Sequence, residues 1–289
     1  MVNILYSFDT KFWKLALASI YSVLKTKQPE TVYTFYCMVA PYTKGRRKIE
    51  RLVKRSGCRL VWRVVRPREN PYRAVDYVRW SPVIFHRLFA HKIFPNVDRM
   101  IYLDSDTIVL EDLTRLFEFD IKNSPLGGVP DFGAALGRDE HIKVLLGQKI
   151  NSGTYVNSGV LLINLSKMPE LLSVDCELMY PDQDLINIGL DGRISELPMR
   201  YNYIPHQENL PPEIYTADPA IYHFYSIKPY YQNNPQSYLM FEKLVENLGM
   251  TPHDFVKHER KYSSTKSNIP FVRLHGNKIK FLGITLVRI

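Results

Sequence analysis

The sequence is poor in cysteine and has no long apolar run, and both shortages narrow what it can be. The three cysteines, Cys37, Cys58 and Cys176, form no C-x-x-C pair. So sparse and odd a set excludes a cysteine zinc site and points to reduced thiols in a cytoplasmic protein. No apolar run approaches the roughly 18 residues of a membrane span. The N-terminus MVNILYSFDTKFW lacks a basic segment followed by an apolar one, so it does not read as a signal peptide. Internal repeats and low-complexity segments are also missing. What remains is an ordinary globular composition, with 45% hydrophobic residues in 289. That suits one large domain, or one domain with an appendage.

Charge is abundant but uneven. Residues 44–68 hold eleven Lys/Arg against one acid, Glu50, a net +10. Residues 251–289 hold eight against two, Asp254 and Glu259, a net +6. The chain totals +9, so its other residues carry −7. The plain alternative is a pair of solvated faces. The sharper reading is attraction to an anionic surface, lipid headgroups or nucleic acid. Against nucleic acid, the first patch has a single aromatic, Trp62, and no RNA-binding signature.

The first hundred residues alternate strand and helix patterns. NILYSF, TVYTFYCMV, RLVWRVV and RMIYLD read as strands. KFWKLALASIYSVLKT places Trp13, Leu17, Ile20 and Leu24 on one helical face. KGRRKIERLVKRSG reads as a basic helix that stops at Gly57, and PVIFHRLFAHKIF as a helix opened by Pro82. This order predicts a mostly parallel, doubly wound α/β sheet. Further on, GVPDF and YVNSGVLLINL read as strands and DQDLINIGL as a short helix. The Pro- and Tyr-rich run from Glu196 to Phe224 reads as loop. In the tail NKIKFLGITLVRI, Gly283 and β-branched neighbours favour a strand or hairpin over an amphipathic helix.

The stretch MIYLDSDTIVL ends an apolar strand with two aspartates, Asp104 and Asp106. Buried carboxylates are costly unless paired or metal-bound. In open α/β sheets ligands bind at the carboxyl ends of strands. In an extended chain residues i and i+2 point the same way, so both carboxylates could grip one divalent cation. A capping or solvated Asp pair is the plain alternative. The phosphoaspartyl phosphatase pattern fits poorly, because DSDTIV lies far from the N-terminus and lacks the usual following Gly-Thr.

YVNSGVLLINL, YPDQDLINI and YHFYSIKPYY follow in that order. With YLDSDTIVL they resemble glycosyltransferase family 8, the family of glycogenin and bacterial lipopolysaccharide α-galactosyl- and α-glucosyltransferases. The resemblance runs from the first strand to about Tyr231. It implies a GT-A type nucleotide-sugar-binding fold and the following roles. Asp9 hydrogen-bonds the uracil, and Phe12 stacks on it where the family usually has Tyr. Arg87 contacts the donor sugar or diphosphate. Asp104, Asp106 and His223 bind Mn²⁺ (or Mg²⁺), with Ser105 near the ribose. Asn157 and Asp182 face the sugars, and Gln183 lies beneath the anomeric carbon. Lys228 holds the β-phosphate of the leaving UDP. A neutral amide is a poor nucleophile, so Gln183 in that position favours front-side attack over double displacement. The family loop usually reads H-x-x-G-x-x-K-P-W. Here it is HFYSIKPY, one residue shorter, without the glycine, and with Tyr230 for Trp.

The expectation is a GT-A domain over residues 1–250 with a basic, possibly membrane-associating extension over 251–289. Its expected activity is retaining transfer of galactose or glucose from a UDP-hexose to a saccharide or glycolipid acceptor of lipopolysaccharide. The expected location is cytoplasmic, peripheral on the inner membrane face, with no nucleic-acid partner. The competing readings are an inactive relative that only binds nucleotide sugar, and a basic nucleic-acid-binding protein.

Overall fold

The computed structural model describes residues 1–72, 81–137, 139–171, 178–205, 218–225, 227–232, 235–263, 272–274, 278–281 and 284–288. Cys176 and residues 206–217 of the Pro- and Tyr-rich run lie outside them.

The strands are β1 (Val2–Phe8), β2 (Tyr33–Val39), β3 (Arg59–Val64), β4 (Arg99–Leu103), β5 (Thr107–Val109), β6 (Leu126–Pro130), β7 (Val156–Asn164), β8 (Ile194–Glu196), β9 (Ile221–His223), β10 (Val272–Leu274), β11 (Lys278–Phe281) and β12 (Ile284–Arg288). The α-helices are α1 (Trp13–Thr26), α2 (Arg46–Arg55), α3 (Ala90–Ile93), α4 (Thr114–Phe117), α5 (Phe132–Ala135), α6 (Glu140–Gln148), α7 (Pro181–Gly189), α8 (Pro235–Glu246) and α9 (Pro252–Ser263).

Seven strands form one sheet in the order β3-β2-β1-β4-β7-β6-β8. Only β7 runs against the rest, pairing antiparallel with β4 and β6. Both faces of this sheet are covered, so its central strands are apolar nearly throughout. Alternation sorts their side chains between layers. Ile4, Tyr6 and Phe8 enter one hydrophobic cluster and Leu5 the other.

The helix α1 buries serines as well as apolar residues, and they carry a message to the site. Ser19 Oγ bonds Tyr6 Oη at 2.8 Å and Thr107 Oγ1 at 2.9 Å. Ser22 Oγ accepts from Val109 N at 2.9 Å. These bonds hold the short β5 against α1 just past the Asp pair. The basic α2 turns Ile49 and Val53 inward and leaves Arg47, Arg51, Lys54 and Arg55 exposed. It ends as the sequence predicts, with Gly57 at φ +71°.

Two local readings change and a third holds. PVIFHRLFAHKIF is helical, but as a 3₁₀ helix over Pro82–Phe89 followed by the single turn α3. The Tyr-rich run is not all loop: it starts on the last residue of β8 and contains a 3₁₀ turn over Met199–Asn202 and β9. The tail is β-structure as expected: β11 and β12 pair antiparallel, and with β10 they form a three-stranded sheet separate from the main one. Upstream of it, α9 packs into the principal core through Phe255, which is 2% exposed. No helix among the described residues is long and apolar enough to cross a membrane.

Candidate active site

Strands β1, β4 and β6 point their carboxyl ends to one edge of the sheet, and the antiparallel β7 brings its amino end there. Asp9, Asp104 and Asp131 follow the first three strands, and Asn157 and Ser158 open the fourth. A cavity of about 610 Å³ lies over this edge. Every site residue expected from the sequence lines it: Asp9, Phe12, Arg87, Asp104, Ser105, Asp106, Asn157, Asp182, Gln183, His223 and Lys228.

The two aspartates converge by a different geometry from the extended one predicted. β4 stops at Leu103, and a turn follows, closed by Thr107 N to Asp104 O at 3.3 Å and Thr107 Oγ1 to the same oxygen at 2.9 Å. The turn sends β5 away to pair with β9, in a register that sets Thr107 opposite His223. His223 thereby arrives beside the carboxylates. Its Nε2 lies 3.7 Å from Asp104 Oδ2 and 3.5 Å from Asp106 Oδ1. One ligand atom from each of the three residues falls within 4.8 Å of the others.

The tautomer of His223 follows from its other nitrogen. Nδ1–H donates to Asn202 Oδ1 at 2.9 Å, because the Asn202 amide group is committed to Asn157 Oδ1, also at 2.9 Å. The lone pair of Nε2 then faces two carboxylates, and this buried atom has no hydrogen-bond partner among the described residues. Such an arrangement is unfavourable unless a cation lies between. A set of two hard oxygens and one imidazole suits a divalent ion such as Mn²⁺, so the residues fit the group. Gly159 makes room for the ring: a Cβ there would meet His223 Cε1 at 2.1 Å.

Around this trio the charges are interlocked. Arg87, 4% exposed, reaches Asp104 at 2.9 Å, Asp182 at 3.3 Å and the Ser158 carbonyl at 2.5 Å. Its guanidinium lies over the Tyr102 ring at 4.1 Å, and Tyr102 Oη donates to Asp104 at 2.6 Å. Burial acts to weaken the Arg87 charge, but Asp104 and Asp182 outweigh it and hold its pKa raised. Burial pushes the Asp182 carboxyl up to about 6, with Arg87 pulling the other way. For Asp106 the balance reverses: burial again acts to raise its pKa, but the Lys228 ammonium 2.6 Å away holds it well below the ordinary carboxylate range.

The shortened loop still delivers its lysine. Lys228 Nζ donates to Asp106 at 2.6 Å and to the carbonyls of Phe224 and Tyr225 at 2.9 and 3.0 Å. The loop thus closes around its own ammonium without the missing glycine. In the loop after β1, Asp9 accepts from Lys11 N, Phe12 N and Ser81 Oγ. Phe12 both lines the cavity and packs on the principal core. Ser105 Oγ is buried and has no hydrogen-bond partner among the described residues.

Gln183 is spent at both ends of its amide. Oε1 accepts from Ser158 N at 2.9 Å, and Nε2 approaches Asp131 Oδ2 at 3.3 Å. Asp131 was read only as part of the strand GVPDF. It caps α5, accepts from Asn157 at 3.0 Å and lines the cavity. Its position after a strand, like that of Asp104, was the available signal. Nothing local in the sequence marks Asn202 or the need for Gly159.

The family model described as glycosyl transferase family 8 matches residues 3–233. The chain belongs to this family. A protein described as a putative glycosyltransferase of Haemophilus influenzae is 25% identical, over 72% of the chain and 65% of its own length. A lipopolysaccharide 1,2-glucosyltransferase of Escherichia coli K12 is 26% identical, over 70% of the chain and 62% of its own length. The family-8 chain thus spans less than two thirds of either relative. A crystal structure of the galactosyltransferase LgtC with donor and acceptor sugar analogs superimposes with a TM-score of 0.70. It shares 21% identity and covers 89% of this chain and 100% of its own. The common architecture is the GT-A fold, a mostly parallel sheet flanked by helices.

Proposed function

We propose that the protein transfers a hexose, galactose or glucose, from a UDP-sugar to a saccharide acceptor of lipopolysaccharide, with retention of anomeric configuration and dependence on Mn²⁺ or Mg²⁺. The observation that carries this reading is the unpartnered Nε2 of His223 facing Asp104 and Asp106 inside a cavity that also holds Arg87, Lys228, Asp182 and Gln183. The lipopolysaccharide glucosyltransferase relative supports the acceptor class.

Asp104, Asp106 and His223 would hold the cation, whose charge offsets that of a diphosphate when bound. Lys228 adds a compact positive charge where negative charge grows on the departing UDP. Arg87 keeps Asp104 and Asp182 in fixed orientations. Asp182 and Asp131 present carboxylate oxygens to sugar hydroxyls, and Asp9, Ser105 and Phe12 receive the nucleoside. The amide oxygen of Gln183 is occupied by Ser158 N, which supports front-side attack. The acceptor hydroxyl then enters on the face that UDP leaves and gives its proton to a phosphate oxygen.

A lipid-linked acceptor places the enzyme at the cytoplasmic face of the inner membrane. The exposed arginines and lysines of α2 and the basic tail supply attraction to anionic headgroups, at roughly 1 kcal/mol per residue near the surface. The direct test is UDP release from a panel of UDP-sugars with and without Mn²⁺. Turnover with UDP-galactose or UDP-glucose that vanishes in EDTA is expected; full activity in EDTA overturns the metal-dependent reading. Salt-sensitive co-sedimentation with anionic vesicles tests the membrane part.

A further inference from the structure

The helix α9 lies beyond residue 233, outside the stretch matched by the family model, yet it grips both loops at the nucleotide end of the cavity. Phe255 anchors it, stacked on Tyr230 with ring centroids 5.8 Å apart and planes 26° from parallel. Residues three and four further on share that helical face. His258 Nε2–H donates to the carbonyl of Thr10 at 2.9 Å. Glu259 Oε2 accepts from the hydroxyls of Tyr230 and Tyr231 at 2.8 and 2.7 Å.

Each contact lies next to a cavity-lining residue. Thr10 connects Asp9 to Lys11 and Phe12. Tyr230 and Tyr231 follow Lys228, and Tyr231 N bonds the Lys228 carbonyl at 3.1 Å. Lys228 sits on the shortened loop that lacks the glycine and has Tyr230 in place of Trp. A tryptophan there has no hydroxyl to give Glu259. Two phenol donors on one carboxylate are charge-assisted bonds, roughly twice as strong as neutral ones. They fasten the loop at the point where its sequence departs from the family pattern.

We propose that Glu259 is a positioning residue for the donor diphosphate. By holding Tyr230 and Tyr231 it fixes Lys228 at the β-phosphate, and through His258 the same helix turn ties that loop to the nucleoside loop at Thr10. The proposal rests on the nucleotide-sugar reading above.

The test is titration calorimetry of the full chain with UDP and with UMP, each with Mn²⁺. UMP lacks the β-phosphate, so the preference for UDP over UMP reports Lys228 placement. A merely structural helix would weaken both nucleotides together. Glu259→Ala should lower that preference roughly tenfold. Tyr230→Phe with Tyr231→Phe should do the same, and combining all three should add little. Glu259→Gln keeps an acceptor oxygen and should retain most of the preference. If Glu259→Ala does not fold, the tyrosine pair decides. Variants that keep the wild-type preference overturn the proposal alone. A wild-type chain that binds neither nucleotide overturns the functional reading, and the proposal with it.

Discussion

The pattern Asp-x-Asp occurs twice in this chain, at residues 104–106 and 182–184, and the backbone treats the two differently. The first occupies a turn between β4 and β5, and both carboxylates line the cavity beside His223. The second opens α7, where residues two apart diverge by about 200° around the helix axis. Asp182 faces the cavity. Asp184 is fully buried on the other side, bonded to His141 Nε2 at 2.9 Å, Tyr180 N at 3.0 Å and the Tyr155 hydroxyl. Equal spacing therefore gives two carboxylates that converge on His223 in one place and, in the other, one residue facing the cavity and one held within the fold.

The sharpest break in that comparison is Asp106→Ala. It should abolish metal-dependent UDP binding and cut turnover by roughly three orders of magnitude while the melting temperature stays near wild type. Calorimetry with UDP and Mn²⁺ beside a thermal melt checks both halves. Asp184→Ala should do the reverse. Leaving His141, Tyr155 and Tyr180 N without their acceptor should destabilise the fold by about 3 kcal/mol, read by urea unfolding, with turnover per folded molecule largely kept.

Asp182 allows a test by pH. Its folded-state pKa is raised to about 6. Between the ordinary carboxylate range and that value, the folded chain keeps a proton that the unfolded chain has released. Its contribution to stability therefore falls as pH rises across that window and is flat above it. Metal-free Asp182→Asn should escape this fall, gaining roughly 2 kcal/mol on wild type between pH 4 and pH 6.5. An unchanged difference between the two pH values would contradict the assignment. The smallest effect is expected at the middle of the second tripeptide. Gln183→Ala should retain measurable transfer with retained configuration, since its amide is engaged with Ser158 and Asp131. A covalent sugar trapped on Gln183 or Asp182 would exclude front-side attack.

Much of this was legible in local sequence. Alternating strand and helix signals predicted the order β1-α1-β2-α2-β3, and the apolar run before Asp104 marked a strand end where ligands gather. The Asp104 and Asp106 pair stands out at a strand end, the family resemblance implies the other nine candidate site residues, and one cavity gathers all eleven. The extended geometry expected of Asp104 and Asp106 was not found, because the backbone folds back at Ser105 to start β5. Asp131 hid inside a strand motif, although it ends β6 as Asp104 ends β4. Asn202 carries no local signal. Its two bonds join His223 to Asn157 across 21 and 45 residues of chain.

By itself the sequence determined periodicity, turn chemistry and charge, because these depend on dihedral preference and on neighbours within a few residues. It thereby specified the first strands and helices, the apolar face of α1, and the two basic regions. Only the tertiary structure decided convergence. The β5–β9 register sets His223 beside Asp106, the packing of α1 holds β5 in place, and α9 folds back to join Thr10 with Tyr230. Those contacts span more than a hundred residues in some cases, as with Lys228 and Asp106. Such distances follow from sheet order and core packing, which no short window of sequence contains.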